Sequence, residues 1–78
     1  MELNKKLELL ADVLDIDPAE LKPEATLVEL GWDSVALLSF IVMIDDEFHK
    51  VAKGEDIRAL ATVQDALDYI TAAAQPNE

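Results

Sequence analysis

A chain of 78 residues has room for one domain, because a protein this short buries only about 60% of the surface its unfolded form exposes and cannot maintain two cores. Seventeen acids against six Lys and Arg give a formal net charge of -11, which repels nucleic acid and anionic lipid and attracts protein surfaces rich in basic groups. The composition, 51% hydrophobic with 5% aromatic and no cysteine, predicts a small helical bundle held by packing and capping, and excludes disulfides, thiol nucleophiles and thiolate metal sites.

The opening stretch, MELNKKLELLADVLDID, is amphipathic from its start and lacks the unbroken apolar core of a signal peptide. No segment reaches the roughly 18 apolar residues of a membrane span, so a soluble, cytoplasmic protein is expected. Leu3, Leu7, Leu10 and Leu14 recur at spacings of four and three and predict one apolar stripe on a first helix. Asp17, Pro18 and Glu20 fit a cap, a first helical position and a carboxylate reaching back, so DPAEL reads as one capped turn, which Pro23 keeps short.

TLVELG repeats the device with Thr26 as cap, Glu29 three residues on and Gly31 as the left-handed residue that ends the turn. A long loop pinned at two points is expected, with Leu21, Leu27 and Leu30 plugging it against the bundle. Asp33 is the expected cap of a second main helix from Ser34 to His49 or Lys50, with Lys50 and Lys53 near its negative end and Gly54 permitting the exit. Glu55 to Leu60 predicts a short helix with Ile57 and Leu60 inward. Thr62 and Asp65 then open a last helix with Val63, Ala66, Leu67 and Ile70 on its inner side and Tyr69 at its edge.

The second helix has little polarity. Leu37, Phe40, Ile41, Ile44 and Phe48 gather in one sector and form an expected core face. Val35, Leu38, Val42 and Met43 fall toward the other side, with Ser39 and the acids Asp45, Asp46 and Glu47. Two readings apply: a central helix wrapped on most sides, or a recognition helix whose apolar strip meets a partner.

Ser34 also has two readings. It is a hydroxyl in the first turn of a helix, suited to ordinary capping, and equally suited to carrying a phosphate at the favourable end of the helix dipole. Gly31, Asp33, Ser34 and an apolar Val35, followed by a helix ending in acids and Phe48, resemble the attachment motif of acyl carrier proteins. VLDIDPAELKPEATLVELGWDS is similar to that family's first-helix exit and long loop, and LATVQDALDYI to its last helix.

The resemblance implies an all-α, four-helix acyl-carrier-like bundle, three main helices and one short one with a long loop between the first and second. Chain length and terminal position give a single domain over residues 1–75 with a frayed tail at 76–78, the spacing of the acids gives no expected metal site, and the resemblance implies a carrier, expected as a monomer, with no catalytic residues. A phosphopantetheinyl transferase would attach 4'-phosphopantetheine from coenzyme A to Ser34, with Asp33 helping to engage the transferase, and acyl groups would ride as thioesters on the arm.

The family's acids two and five residues after the serine are replaced here by Ala36 and Ser39. Docking on acyl-transferring, condensing or modifying enzymes is therefore expected to use Glu29, Trp32, Val35, Leu38, Val42, Met43, Asp45, Asp46 and Glu47, the changed code of a dedicated carrier in fatty-acid, polyketide or specialised lipid metabolism. The alternatives are a peptidyl or aminoacyl carrier and an unmodified helical adaptor.

Trp32 either covers the junction of loop and helix or meets a partner or the arm. Phe40 stands where the family has an aliphatic residue, which implies a smaller or displaced acyl pocket. His49, the single histidine, reads as a solvated residue at a helix end, without the companions of a Ser-His-acid site.

Overall fold

The computed structural model describes residues 2–74, so the tail expected at 76–78 lies outside the described residues. The described residues form an all-α bundle of four helices: α1 (Leu3–Leu14), α2 (Ser34–Phe48), α3 (Gly54–Arg58) and α4 (Val63–Ala73). None of these helices is long and apolar enough to cross a membrane.

Of the expected stripe on α1, Leu10 and Leu14 are buried and Leu7 half-buried, but Leu3 is 57% exposed. Leu9 and Ala11 are buried as well, because α1 packs against both α2 and α4 and two neighbours need a wider apolar face than one stripe supplies. The helix stops at Asp15, which takes the left-handed conformation at φ 56° and donates its N–H toward the carbonyls of Ala11 and Asp12.

Both expected turns of the long loop are present as short 3-10 helices. At Pro18–Glu20 the Asp17 carboxylate accepts the Ala19 N–H at 2.9 Å, and the Glu20 carboxylate accepts the Asp17 N–H at 3.1 Å. At Val28–Leu30 the expected device is only half made: Leu27 rather than Thr26 precedes the turn, the Thr26 hydroxyl accepts the Glu29 N–H at 3.3 Å with no carboxylate bond returned among the described residues, and Gly31, at φ 94°, ends the turn in a conformation that side chains disfavour. Leu21 and Leu27 are buried plugs, and Leu30 is half-buried.

The loop is fastened to the start of α4 by main-chain bonds. Leu27 N–H donates to Ala61 O at 2.9 Å, Val63 N–H to Ala25 O at 3.0 Å and Gln64 N–H to Pro23 O at 3.1 Å, around an antiparallel bridge between Thr26 and Thr62. These bonds satisfy backbone groups that a buried loop would otherwise leave unpaired.

Two expectations around the end of α2 need correction. The helix ends at Phe48, and the left-handed residue is His49 at φ 55°, whose N–H donates to Asp45 O at 2.9 Å. Gly54 makes no such turn; it is the first residue of α3, which ends at Arg58 rather than Leu60. Ile57 is buried as expected and Leu60 is half-buried.

At the head of α4 the capping pair is reciprocal: the Thr62 hydroxyl accepts the Asp65 N–H at 3.1 Å, and the Asp65 carboxylate accepts the Thr62 N–H at 3.2 Å and the Ala61 N–H at 3.1 Å. Val63, Ala66, Leu67 and Ile70 are all buried. Lys6 Nζ donates to Thr71 Oγ1 at 2.8 Å, and that hydroxyl donates to Leu67 O at 2.9 Å, joining α1 to α4.

Phe40 is the largest fully buried side chain. The Trp32 ring meets it edge-on with centroids 5.7 Å apart, and the Tyr69 ring does so at 5.8 Å. Edge-to-face pairs are worth about 0.5–1.5 kcal/mol each beyond the area they bury. The junction of loop and α2 is therefore clamped to α4 through three rings.

Candidate functional site at the head of the second helix

The residues before α2 arrive in fixed order. Gly31 N–H donates to Val28 O at 3.2 Å, and Trp32 N–H donates to Leu27 O at 3.0 Å, which sets the indole over Phe40. Asp33 is extended (φ −135°, ψ −172°); its carboxylate accepts the Ala36 N–H at 2.9 Å and its carbonyl accepts the Leu37 N–H at 2.9 Å.

Capping therefore belongs to Asp33, which settles one of the two readings of Ser34. The Ser34 side chain is exposed, and its hydroxyl takes part in none of the side-chain hydrogen bonds among the described residues. The N–H groups of Ser34 and Val35 make no bond to the preceding loop. A phosphate on that oxygen would find solvent space, open donors and the positive end of a 15-residue helix, an arrangement that favours an anion.

Past the serine, α2 has both characters that its sequence allowed. Phe40 and Ile44 are buried, and Leu37, Ile41 and Phe48 are half-buried and packed against the core, so the expected core face is present. Val35, Leu38 and Val42 are 71%, 61% and 51% exposed. Met43, placed with them by sequence, is half-buried and packs on the core.

Ala36 is only 5% exposed, with its methyl packed inside. Ser39, half-buried at the edge of the strip, is where the missing carboxylate bears on the surface.

Leu38, Val42 and Met43 face Leu9 and Val13 of α1 across a groove of about 420 Å³. Asp12 stands on one wall, and Asp46 and Glu47 on the other. Asp45 is exposed outside this groove, Glu29 is exposed on the second loop turn, and Trp32 is half-buried above the core. The structure thus joins Leu38, Val42, Met43, Asp46 and Glu47 in one feature and leaves Val35, Glu29, Trp32 and Asp45 apart from it. Leu9 and Val13 were missed by sequence reasoning; their four-residue spacing beside the leucine stripe is the signal that finds them.

Burial pushes the Tyr69 hydroxyl above its ordinary range, and the nearby negative charge of Asp56 adds to the effect. Tyr69 also lines a second opening of about 230 Å³ with Ile44, Val51 and Ala73.

A family described as "Phosphopantetheine attachment site" (PP-binding) matches residues 7–70, most of the chain, and the chain belongs to that family. Its members are carriers rather than enzymes. They hold substrates on a covalently attached 4'-phosphopantetheine arm, and they meet a phosphopantetheinyl transferase and partner enzymes. The match sets aside an unmodified adaptor.

Proposed function

We propose that this member of the family is an acyl carrier protein whose arm is attached at Ser34, serving a dedicated route of fatty-acid, polyketide or specialised lipid chemistry. The observation that carries the assignment is the exposed Ser34 hydroxyl, free of the capping bond that Asp33 makes in its place. Loading forms a bond from Ser34 Oγ to the pantetheine-side phosphorus of coenzyme A and breaks the pyrophosphate P–O bond. Adenosine 3',5'-bisphosphate leaves, and the serine proton passes to a base of the transferase. The attached arm supplies a terminal thiol that holds an acyl group as a thioester.

The chain's own residues position and present that arm. Asp33 fixes the first turn of α2 and offers its carboxylate to the transferase. Leu38, Val42 and Met43, with Asp46 and Glu47 beside them, supply the continuous part of the docking surface, and Glu29, Trp32, Val35 and Asp45 supply separate contacts around it. Such a surface suits enzymes with an apolar patch among Lys and Arg. The carrier acts as a cytoplasmic monomer, with residues 1–75 as its domain.

The test is incubation with coenzyme A, Mg²⁺ and a broad-specificity transferase, read by intact mass. Wild type is expected to gain one phosphopantetheine and Ser34→Ala none. A mass gain in Ser34→Ala, or none in wild type beside a modified control carrier, would overturn the assignment.

A further inference from the structure

Ser34, Leu38 and Val42 lie four residues apart, so they form one row along the outside of α2, drifting toward the groove shared with α1. Val42 is about 12 Å from Ser34 along the helix axis. The row begins at the free hydroxyl and runs into apolar walls: Leu38, Val42 and Met43 on one side, Leu9 and Val13 on the other. The bundle interior below Ser34 is filled instead by Phe40, held edge-on between Trp32 and Tyr69. A flexible chain fixed at Ser34 thus meets packed rings inward and an apolar trough outward.

We propose that the loaded arm folds back along α2 and lays its acyl group in the α1/α2 groove, an inference that rests on attachment at Ser34. At about 420 Å³ the groove is in the lower range of small-ligand sites, matching a short or medium acyl chain. Its polar rim selects by charge. Asp12, Asp46 and Glu47 repel a cargo ending in a carboxylate, so the groove takes a neutral aliphatic acyl group and excludes a dicarboxylic one. The same carboxylates can accept hydrogen bonds from the two amide N–H groups of the arm.

The experiment uses the full chain with methyl-labelled side chains, compared unloaded, with the free-thiol arm, with a neutral octanoyl group and with a carboxylate-ended succinyl group, each species verified by intact mass. Octanoyl loading is expected to shift the methyl resonances of Leu9, Val13, Leu38, Val42 and Met43, and succinyl loading to leave them near their free-thiol positions. Cleavage of the octanoyl thioester by hydroxylamine is expected to be severalfold slower than that of octanoyl-pantetheine in solution, and Val42→Asp, once loaded, to lose both the protection and the Leu9 and Val13 shifts. Methyl resonances unmoved by octanoyl at full mass gain would overturn the proposal while leaving attachment intact. Shifts confined to Ile44, Val51 and Ala73 would overturn it in favour of the other opening, and equal shifts from succinyl would remove the charge selection. Failure of wild type to gain the arm would instead remove the attachment reading, and this proposal with it.

Discussion

The Asp33 carboxylate accepts the Ala36 N–H at 2.9 Å, so the residue before Ser34 closes the helix and leaves the serine nothing to cap. Replacing Asp33 by Ala is expected to cost about 1 kcal/mol, as loss of an N-cap commonly does. Asp33→Asn keeps an acceptor and should stay within a few tenths of wild type. If the transferase reads the negative charge, both variants load slowly; a loading defect in Asp33→Ala alone would show that Asp33 serves only the helix. Thermal melts and loading rates measured on the same samples separate the two.

Ser34→Ala is expected to change stability by no more than about 0.5 kcal/mol, because the side chain is exposed and unbonded, while abolishing the mass gain. A large drop in melting temperature would mean that the hydroxyl holds structure after all.

His49 adopts φ 55°, where a side chain crowds the following carbonyl. His49→Gly should relieve this and raise stability by about 0.5–1 kcal/mol, a rise of several degrees in Tm for a domain this size. Asp15, at φ 56°, gains less from the same change, because Asp tolerates the left-handed region better. Denaturant titration of both variants checks the order.

The N–H groups of Ala61 and Thr62 hold the Asp65 carboxyl below its usual 3.8. A carboxyl whose folded value is depressed stabilises the fold above its unfolded pKa, and that contribution is lost as pH falls through the lower folded value. The stability gap between wild type and Asp65→Ala should therefore be full at neutral pH and shrink as the pH drops below about 3.8. Melts across that range test it; a gap independent of pH would assign the effect to helix propensity.

Leu38→Asp and Val42→Asp alter exposed positions, so both should fold with near-native Tm. Each is expected to reduce acyl transfer by a cognate enzyme about tenfold, the equivalent of about 1.4 kcal/mol at a docking contact. Undiminished transfer would remove the apolar strip from the docking surface.

Much of this arrangement was legible because it is local. The DPAE and TVQD boxes, the Asp33 cap and the Gly31 turn each depend on residues within four positions of one another, and all four stand where their spacing put them. Ser34 as the candidate residue came from its motif. The misses are of tertiary origin. The exit from α2 uses His49 at φ 55°, although glycine is the better residue for that conformation, and Gly54 opens α3 instead. The loop's bonds to Ala61 and Val63 are main-chain bonds with no side-chain signature. The groove needs Leu9 and Val13, on a helix distant in sequence from α2.

The chain contains a single tryptophan, fixed two residues before Ser34 and seated against Phe40. Its indole emission reports the polarity of the doorway to α2 without any attached dye. With attachment at Ser34 as proposed, arrival of a transferase, addition of the arm or loosening of the ring clamp is each expected to alter the light from this chromophore, which makes occupancy of the doorway measurable in real time on unlabelled protein.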